Sequence, residues 1–353
     1  AQVAPDIYRP TNYWAIYEEK FLPELQQSGL HDFRRRRESV LSSFGATDLP
    51  SLGYYVDLLK ARKFRKIFAN SVTRRMPFLL RAVTCANSLA ARLLPISHYV
   101  AFNANPEDLK RLAYWYARMQ GEKAGAKPLD FDESLAGNPD EVIRVGHRAY
   151  TMWALYYYIR YAWCCRHVKF DDVQVMVELG SGMGRQIEVI KKLHPDICFL
   201  LFDIPPQLYV CEQYLKTVFP DSVISYRDTR EMHSSPNMTK GKIFIFGNWR
   251  FPILSMLKID LFWNAASFQE MEPAVVANYL KYVNELANAV YLQELMDGTH
   301  VAANKGEVGV LEPTKLQHYK SGLTNFKLVD MSPSLTPWGN EWLTYSDLFW
   351  RRI

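Results

Sequence analysis

The hydrophobic pattern divides the chain into two halves with different periods. From about residue 12 to residue 166, apolar residues recur at the three- and four-residue spacing of amphipathic helices, as in residues 109–119. Within this half, Pro106 followed by two acids predicts a helix start, and the Gly-, Asp- and Pro-containing segment 121–139 predicts a loop. We therefore predict a mostly helical N-terminal half.

After residue 166, short β-rich runs alternate with amphipathic helical stretches. The runs predicted as strands are rich in Val, Ile, Leu and Phe and cover residues 173–179, 198–202, 223–226, 243–246, 259–263 and 289–292. Two further runs, 326–331 and 342–350, flank a loop with Pro and Gly. Alternating strands and helices predict a parallel sheet, and the last two runs predict an antiparallel hairpin added to it. We predict a helical domain over residues 1–165 and an α/β domain over residues 166–353.

Length and composition exclude several classes of protein. The 353 residues are 48% hydrophobic and 22% charged, which is typical of a globular protein and unlike a disordered or fibrous chain. No apolar stretch approaches the roughly 20 residues that span a bilayer, and the first residues show no signal-peptide pattern, so we expect no membrane association. Five cysteines without C-x-x-C spacing favour free thiols in a reducing cytoplasm over disulfides or a zinc site.

Positive charge is concentrated in the first hundred residues. They hold 15 Lys and Arg against 8 Asp and Glu, whereas the rest of the chain holds 27 against 29. Four consecutive arginines at residues 34–37 and a cluster at residues 60–66 supply most of the excess. Such runs attract nucleic acid, anionic lipid or phosphorylated substrates, or form a solvated helix face. Because no RNA- or DNA-binding motif accompanies them, we prefer the solvated face and expect no nucleic-acid partner.

Residues 175–185, VMVELGSGMGR, are the most informative segment of the sequence. A buried strand runs into alternating glycines and then a helix, as required where the backbone turns tightly beneath a ligand. Glu178 at the strand end would attract a cation and repel a pyrophosphate, and the glycine spacing differs from the G-x-G-x-x-G of dinucleotide-binding loops. Asp203 closes the next strand, where an acid meets ribose hydroxyls. S-adenosylmethionine, with a ribose, a cationic centre and no phosphate, fits all three features.

Two stretches of the sequence resemble known methyltransferases. Residues 178–184, Glu-Leu-Gly-Ser-Gly-Met-Gly, resemble motif I of the class I, Rossmann-like, S-adenosylmethionine-dependent methyltransferases. The strand pattern from about residue 170 onwards is similar to their seven-stranded sheet with its terminal antiparallel hairpin. Residues 260–273 include Asn-Ala-Ala-Ser-Phe-Gln-Glu-Met, which resembles the Asn-x-x-Ser-Phe-Gln-Glu-Met signature of a sugar O-methyltransferase family associated with polysaccharide and natural-product biosynthesis.

This resemblance implies which residues hold the cofactor and that S-adenosylhomocysteine is the product. The glycine loop would line the methionine end, Asp203 would bind the ribose, and the end of a later strand would hold the adenine. Asn248 and Trp249 are the preferred adenine contacts, because Trp stacks on a purine and Asn can pair with its edge, while Asp228 stays an open alternative. The remaining implied cofactor residues are Glu178, Gly180, Ser181, Gly182, Gly184 and Asn264.

Methyl transfer to a hydroxyl requires alignment of the acceptor and a base that removes its proton. Glu270, which follows the fourth strand of the core sheet, is the first candidate, with a helix N-terminal role as the equal alternative. His300, past the next strand end, and His147, where the two halves meet, are the other candidates. Arg148 would pair with the methionine carboxylate or form a salt bridge. We expect no metal ion, since the acids near these strand ends lack a fixed ligand spacing.

The function predicted from the sequence is O-methylation of a hydroxyl on a sugar or a glycosylated small molecule, with the helical half as lid and acceptor pocket. N- or C-methylation of a polyketide or peptide natural product stays open, as does an RNA-binding methyltransferase that uses residues 34–37. The dense aromatic residues at 150–163 follow helical spacing and predict core packing rather than sugar stacking. The oligomeric state is open, with a homodimer as one option.

Overall fold

The computed structural model describes residues 4–36, 39–43, 106–335, 337 and 341–353. The basic cluster at residues 60–66 and the helical pattern predicted between residues 44 and 105 lie outside this part of the chain. The described α-helices are α1 Asn12–Ser28, α2 Val40–Ser43, α3 Pro106–Ala124, α4 Met152–Cys165, α5 Arg185–Leu193, α6 Pro205–Val218, α7 Tyr226–Thr229, α8 Pro273–Leu286 and α9 Leu316–Gly322. The described strands are β1 Ile143–Val145, β2 Arg148–Tyr150, β3 Val175–Leu179, β4 Cys198–Asp203, β5 Val223–Ile224, β6 Ile243–Gly247, β7 Ile259–Ala265, β8 Ala287–Leu295, β9 Phe326–Leu335 and β10 Glu341–Arg352.

Strands β3 to β10 form one sheet with the order β5-β6-β4-β3-β7-β8-β10-β9. The first six strands in this order run parallel, whereas β10 is antiparallel to both β8 and β9. The predicted Rossmann-like α/β fold with a terminal antiparallel hairpin is therefore confirmed. The sheet has one strand more than the expected seven, because the two-residue strand β5 pairs with the edge of β6. Strands β1 and β2 form a separate hairpin.

The three strands β3, β4 and β6 are buried along their whole length, as expected for a parallel sheet covered on both faces. The chain runs outward from β3 through β4 to β6 and then returns to add β7 and β8 on the other side of β3. The strand order thus reverses between β3 and β7. In open α/β sheets a ligand binds outside the carboxyl ends of the strands at this point.

One face of the sheet shares its core with the N-terminal segments. Phe21 of α1 and Leu155 of α4 belong to the same apolar cluster as Met176 and Phe199 of the sheet. Helix α4 also packs against α5, the helix that follows the glycine loop. The core on this face therefore continues across residue 165, where the sequence predicted a domain boundary, and α4 lies against the α/β half.

The arginine run is not a uniformly solvated face. Arg34 is 1% exposed, and its guanidinium lies 2.8 Å from the Glu133 carboxylate, to which Arg185 also donates at 2.7 Å. Arg35 pairs at the surface with Asp140, at 3.4 Å. The solvated-face interpretation is therefore wrong for Arg34, since a buried arginine requires a counter-charge and Glu133 supplies it. The fourth arginine of the run lies outside the described residues.

Two further expectations from the sequence concern free thiols and membrane-spanning helices. Cys164, Cys165, Cys198 and Cys211 are free thiols, as predicted, while Cys85 lies outside the described residues. Within the part of the chain that the structure describes, no helix combines the length and apolar character needed to cross a membrane.

Candidate functional site

A cavity of about 330 Å³ lies at the carboxyl ends of β3, β4 and β7. This volume is in the range of small-molecule pockets, roughly 300–1,000 Å³. Its walls come from α1, α4, the loop after β3, the starts of α5 and α6, and the turn after β7. It therefore occupies the place where the strand order reverses.

The glycine loop adopts a backbone that side chains disfavour. Gly180, Gly182 and Gly184 have φ values of 77°, 53° and 83°. A Cβ at Gly180 would lie 2.2 Å from Oγ of Ser267, and one at Gly184 would lie 2.7 Å from Cδ1 of Leu215. Glycine is thus required at 180 and 184 by both backbone conformation and packing.

Asp203 joins the end of β4 to the glycine loop. One of its carboxylate oxygens accepts a hydrogen bond from the Gly182 N–H at 2.9 Å, and the other accepts one from the Ile204 N–H at 2.8 Å. Burial raises the pKa of Asp203 to about 7, although these hydrogen bonds act in the opposite direction. A loop N–H that would bind a phosphate in a dinucleotide site is therefore already bound to a carboxylate.

Glu178 at the end of β3 is the second acid of the cavity. It is 3% exposed, and its Oε2 has no hydrogen-bond partner among the described residues. Burial raises the pKa of Glu178 to about 8, with the Arg160 charge acting against this and Asp203 adding to it. Because a buried, unpaired carboxyl group is costly, this site favours a ligand that brings a positive charge or hydrogen-bond donors.

Glu270 ends a short 3₁₀ turn, Phe268–Glu270, that follows β7 and faces the cavity. The Trp14 indole N–H of α1 donates to its Oε2 at 3.1 Å, and the Thr11 hydroxyl donates to its backbone carbonyl at 2.9 Å. Burial raises the pKa of Glu270 well above its usual range, reinforced by Glu294 and opposed by Trp14. The helix N-terminal role belongs instead to Glu272, which occupies the N-cap position of α8.

Asn264 holds the backbone next to the cavity in place but does not line the cavity. Its amide donates to the Leu179 carbonyl at 2.7 Å and accepts from the Phe268 N–H at 3.1 Å, so it ties the turn after β7 to the end of β3. Its side chain is fully buried and does not line the cavity. The structure therefore gives no support to the predicted cofactor contact for Asn264, whose amide holds the protein backbone and does not line the cavity.

Glu294 of β8 holds the same turn. Its Oε2 accepts the Gln269 N–H at 3.0 Å, and burial raises its pKa to about 8. Ala266, between β7 and the turn, has a left-handed φ of 60°, which is strained for a residue with a Cβ. The turn that presents Glu270 is therefore fixed by buried polar side chains on two neighbouring strands.

Three candidates from the sequence lie away from the cavity. His147 is exposed in the turn between β1 and β2, and His300 is exposed in the loop after β8. Arg148 of β2 forms an ion pair with Asp130. No histidine is among the described residues that line the cavity. The predicted site roles of these three residues are not supported, because the β1–β2 hairpin and the loop place them elsewhere.

The adenine candidates also lie outside the cavity lining. The Asn248 amide donates to the Tyr8 carbonyl at 2.8 Å and to the Tyr279 hydroxyl at 3.0 Å. The Trp249 ring covers Gly247, where a Cβ would lie 2.5 Å from it. The third candidate, Asp228, caps α7 by bonding to Ser225. The adenine contacts expected at these positions therefore gain no support from the lining of the cavity.

Several cavity residues could not be identified from the sequence pattern. Trp153 and Tyr157 are half-buried and line the cavity, whereas Tyr150 and Tyr161 of the same aromatic stripe are buried in the core. The stripe was predicted to be core packing, and this holds for only part of it. Other missed residues line the cavity from neighbouring elements: Trp14, Arg160, Arg185, Gln186 and Gln207.

Two of these missed residues lie close in the sequence to the predicted loop residues. Gln207 lies in the first turn of α6, four residues after Asp203, is buried, and has an Oε1 atom without a partner among the described residues. Arg185 directly follows Gly184.

The part of the chain that is described contains no group of three or more His, Cys, Asp or Glu side chains arranged to hold a metal ion.

Comparisons with known proteins give matches to structures only. No protein-family model matches the chain, and no curated protein matches its sequence. The resemblance of residues 260–273 to the sugar O-methyltransferase signature therefore gains no support from them. Among solved structures, the chain is similar to the magnesium protoporphyrin IX methyltransferase from Synechocystis PCC 6803 with bound S-adenosylmethionine, at 11% identity and a TM-score of 0.37, over 71% of this chain and 99% of that chain.

Two further structures come from natural-product enzymes. The glycopeptide N-methyltransferase MtfA, complexed with S-adenosylmethionine, is 11% identical with a TM-score of 0.38, over 55% of this chain and 92% of that chain. The O-methyltransferase NcsB1 from neocarzinostatin biosynthesis, in complex with S-adenosylmethionine and 2-hydroxy-5-methyl naphthoic acid, is 11% identical with a TM-score of 0.36, over 53% of this chain and 51% of that chain. The match thus spans about half the length of NcsB1. Identities and TM-scores this low carry no argument about function.

Proposed function

We propose that the chain binds S-adenosylmethionine in the cavity and transfers its methyl group to a small-molecule acceptor. The observation that carries this proposal is the pair of buried acids at the glycine loop. Asp203 occupies the Gly182 N–H, and Glu178 lies beside it with an unpaired carboxyl oxygen. A loop with two acids disfavours a nucleotide phosphate and favours a nucleoside with a cationic centre.

The residues of the cavity offer contacts for the ribose and for the methionine end of this cofactor. Asp203 would accept hydrogen bonds from the ribose hydroxyls. Glu178 would bind the positively charged methionine end, which would lie against the backbone of Gly180 and Gly182. Gln207, with its unpaired Oε1, offers a polar contact at the nucleoside end. The cofactor supplies a methyl group on a sulfonium, which is an activated leaving group. The protein then has to align the acceptor and exclude water.

Glu270 is proposed as the base that takes the acceptor proton. It lines the cavity, where burial and the neighbouring Glu294 raise its pKa above the usual range of a carboxyl group, which makes its carboxylate a stronger proton acceptor. A base is needed for a hydroxyl acceptor, which loses its proton during or just after attack. The aromatic rings of Trp14, Trp153 and Tyr157 supply apolar walls against which a sugar face can stack. We therefore propose O-methylation of a sugar or glycoside.

The acceptor class can be tested by methyl transfer from labelled S-adenosylmethionine. Nucleotide sugars and glycosides form the main panel, with simple amines and carbon nucleophiles as comparators, and release of S-adenosylhomocysteine is the readout. We expect label on a hydroxyl oxygen. Label on an amine or carbon acceptor alone would contradict the O-methylation proposal while keeping the cofactor assignment.

Replacement of Glu270 by glutamine tests the proposed base. Glu270→Gln should keep the affinity for S-adenosylhomocysteine and lower kcat by about 100-fold, the usual size of a general-base contribution. Glu272→Gln is the matched control, because Glu272 is two residues away at the N-cap of α8, and among the described residues its carboxylate accepts only the Leu311 N–H, at 3.3 Å. Full activity of Glu270→Gln would assign Glu270 a structural role.

A further inference from the structure

Arg160 of α4 is a buried cation in the wall of the cavity. It is 7% exposed and lines the cavity together with Tyr157 and Glu178. Its guanidinium donates to the side-chain oxygens of Gln293 and Gln186, the latter at 3.4 Å, and lies over the Tyr157 ring, 5.3 Å from the centroid. All of these partners are neutral.

The positive charge of Arg160 has no direct counter-charge. No carboxylate in the described part of the chain lies within ion-pair distance of it, and its Nε–H has no hydrogen-bond partner there. Glu178, Glu294 and Asp347 are close enough for the Arg160 charge to lower their pKa values, but burial has the larger effect and raises the pKa of each. A buried cation without a partner is costly, and an anionic ligand group would remove that cost.

Arg185, the other arginine that lines the cavity, already has a carboxylate partner. Its guanidinium donates at 2.7 Å to Glu133, a carboxylate that it shares with Arg34. Arg148, which the sequence placed at the methionine carboxylate, pairs with Asp130 outside the cavity. Arg160 is therefore the arginine of the cavity that has no carboxylate partner among the described residues.

We propose that Arg160 binds the α-carboxylate of the methionine end of S-adenosylmethionine, while the neighbouring Glu178 receives the α-ammonium. The two groups sit on one carbon atom of the ligand, and Arg160 and Glu178 both line the cavity and are close enough for the Arg160 charge to act on Glu178. The free Nε–H and an Nη–H of a guanidinium form the fork that fits a carboxylate. This inference rests on the proposed function, because it assigns a contact within the same cofactor site.

The wild-type protein provides the first test, by calorimetric titration with two ligands. One is S-adenosylhomocysteine, and the other is its analogue that lacks only the carboxylate. Loss of one partner of a buried charged contact weakens binding by at least about 30-fold. We expect a difference of this size between the two ligands. Equal affinities would overturn the inference alone, whereas no binding of either ligand would overturn the proposed function as well.

Arg160→Met tests the same contact from the side of the protein. It should weaken binding of S-adenosylhomocysteine by about 30-fold and change binding of the decarboxylated analogue by less than about twofold. Arg166→Met is the matched control. Arg166 follows α4, lies over the Trp163 ring at 4.8 Å and pairs with Asp330 at the surface, so both ligands should bind that variant as they bind the wild type.

Two other outcomes for Arg160→Met are a changed KM for the acceptor and a failure to fold. An Arg160→Met variant that binds S-adenosylhomocysteine normally but shows a raised KM for the acceptor would assign the carboxylate to the acceptor and overturn the proposal. Should this variant fail to fold, as judged by circular dichroism, the comparison of the two ligands on the wild type still decides the question.

Discussion

Substitution of Gly180 by alanine gives a prediction whose size follows from the geometry of the glycine loop. Gly180 has a φ of 77°, and its Cβ would lie 2.2 Å from Oγ and 2.4 Å from Cβ of Ser267. Relief of this overlap requires Ser267 to move, and Ser267 lies in the turn that Asn264 ties to β3. The substitution should therefore disturb both the loop and the turn that presents Glu270.

Gly146, in the turn between β1 and β2, is the matched control. Its φ of 63° is also left-handed, but a Cβ there would have no atom within 4 Å. Gly146→Ala should cost only the backbone term of about 1–2 kcal/mol. Gly180→Ala should cost the same term plus about 1–3 kcal/mol for overpacking, which gives roughly 2–5 kcal/mol in total. Alanine lowers the entropy of the unfolded chain equally in both variants.

Urea unfolding followed by circular dichroism measures this difference. We expect Gly180→Ala to lose clearly more unfolding free energy than Gly146→Ala, and to lose affinity for S-adenosylhomocysteine as well. Gly146→Ala should bind this ligand like the wild type. Equal destabilisation of the two variants, with unchanged ligand affinity in both, would refute the close packing of the glycine loop against the turn after β7.

Two further predictions concern the carboxyl groups of the cavity. Burial raises the pKa of Glu178 from 4.5 to about 8. Between these two pH values the folded protein keeps a proton that the unfolded chain has lost. The unfolding free energy therefore falls as the pH rises through this interval. Glu178 should contribute up to about 4 kcal/mol to the fall in the unfolding free energy between about pH 5 and pH 9, so the fall should be smaller in Glu178→Gln than in the wild type; equal falls in urea unfolding would contradict this. Trp14→Phe removes a donor that lowers the pKa of Glu270, so the acidic limb of the kcat/KM profile should move to higher pH. An unmoved limb would show that Glu270 is not the titrating base.

The sequence predicted the parts of the site that depend on local patterns. The strand that runs into alternating glycines, the acid before them and the acid at the end of the next strand all lie at one cavity. These features are readable because a strand–turn–helix unit places its own residues by short-range geometry. The parallel sheet followed from the alternation of strands and helices, and its strand order was implied by the resemblance to class I methyltransferases. The extra strand β5 is only two residues long and left one run unassigned.

The sequence could not predict the residues that reach the cavity from distant segments. Trp14 contacts Glu270 across 256 positions, and no local pattern indicates that contact. Arg160 lies in an aromatic helix, where the sequence shows no charge partner. The candidates Asn248 and Asn264 were chosen for their positions near strand ends, but their amides are used to hold backbone carbonyls of the protein. Position near a strand end does not decide which way a side chain points.

The most direct test of the central claim is a crystal structure of the chain soaked with S-adenosylhomocysteine. The account predicts electron density for one nucleoside in the cavity, with the ribose at Asp203 and the methionine end above the glycine loop between Glu178 and Arg160. An empty cavity, or a phosphate-bearing nucleotide bound at the Gly182 N–H in its place, would contradict it.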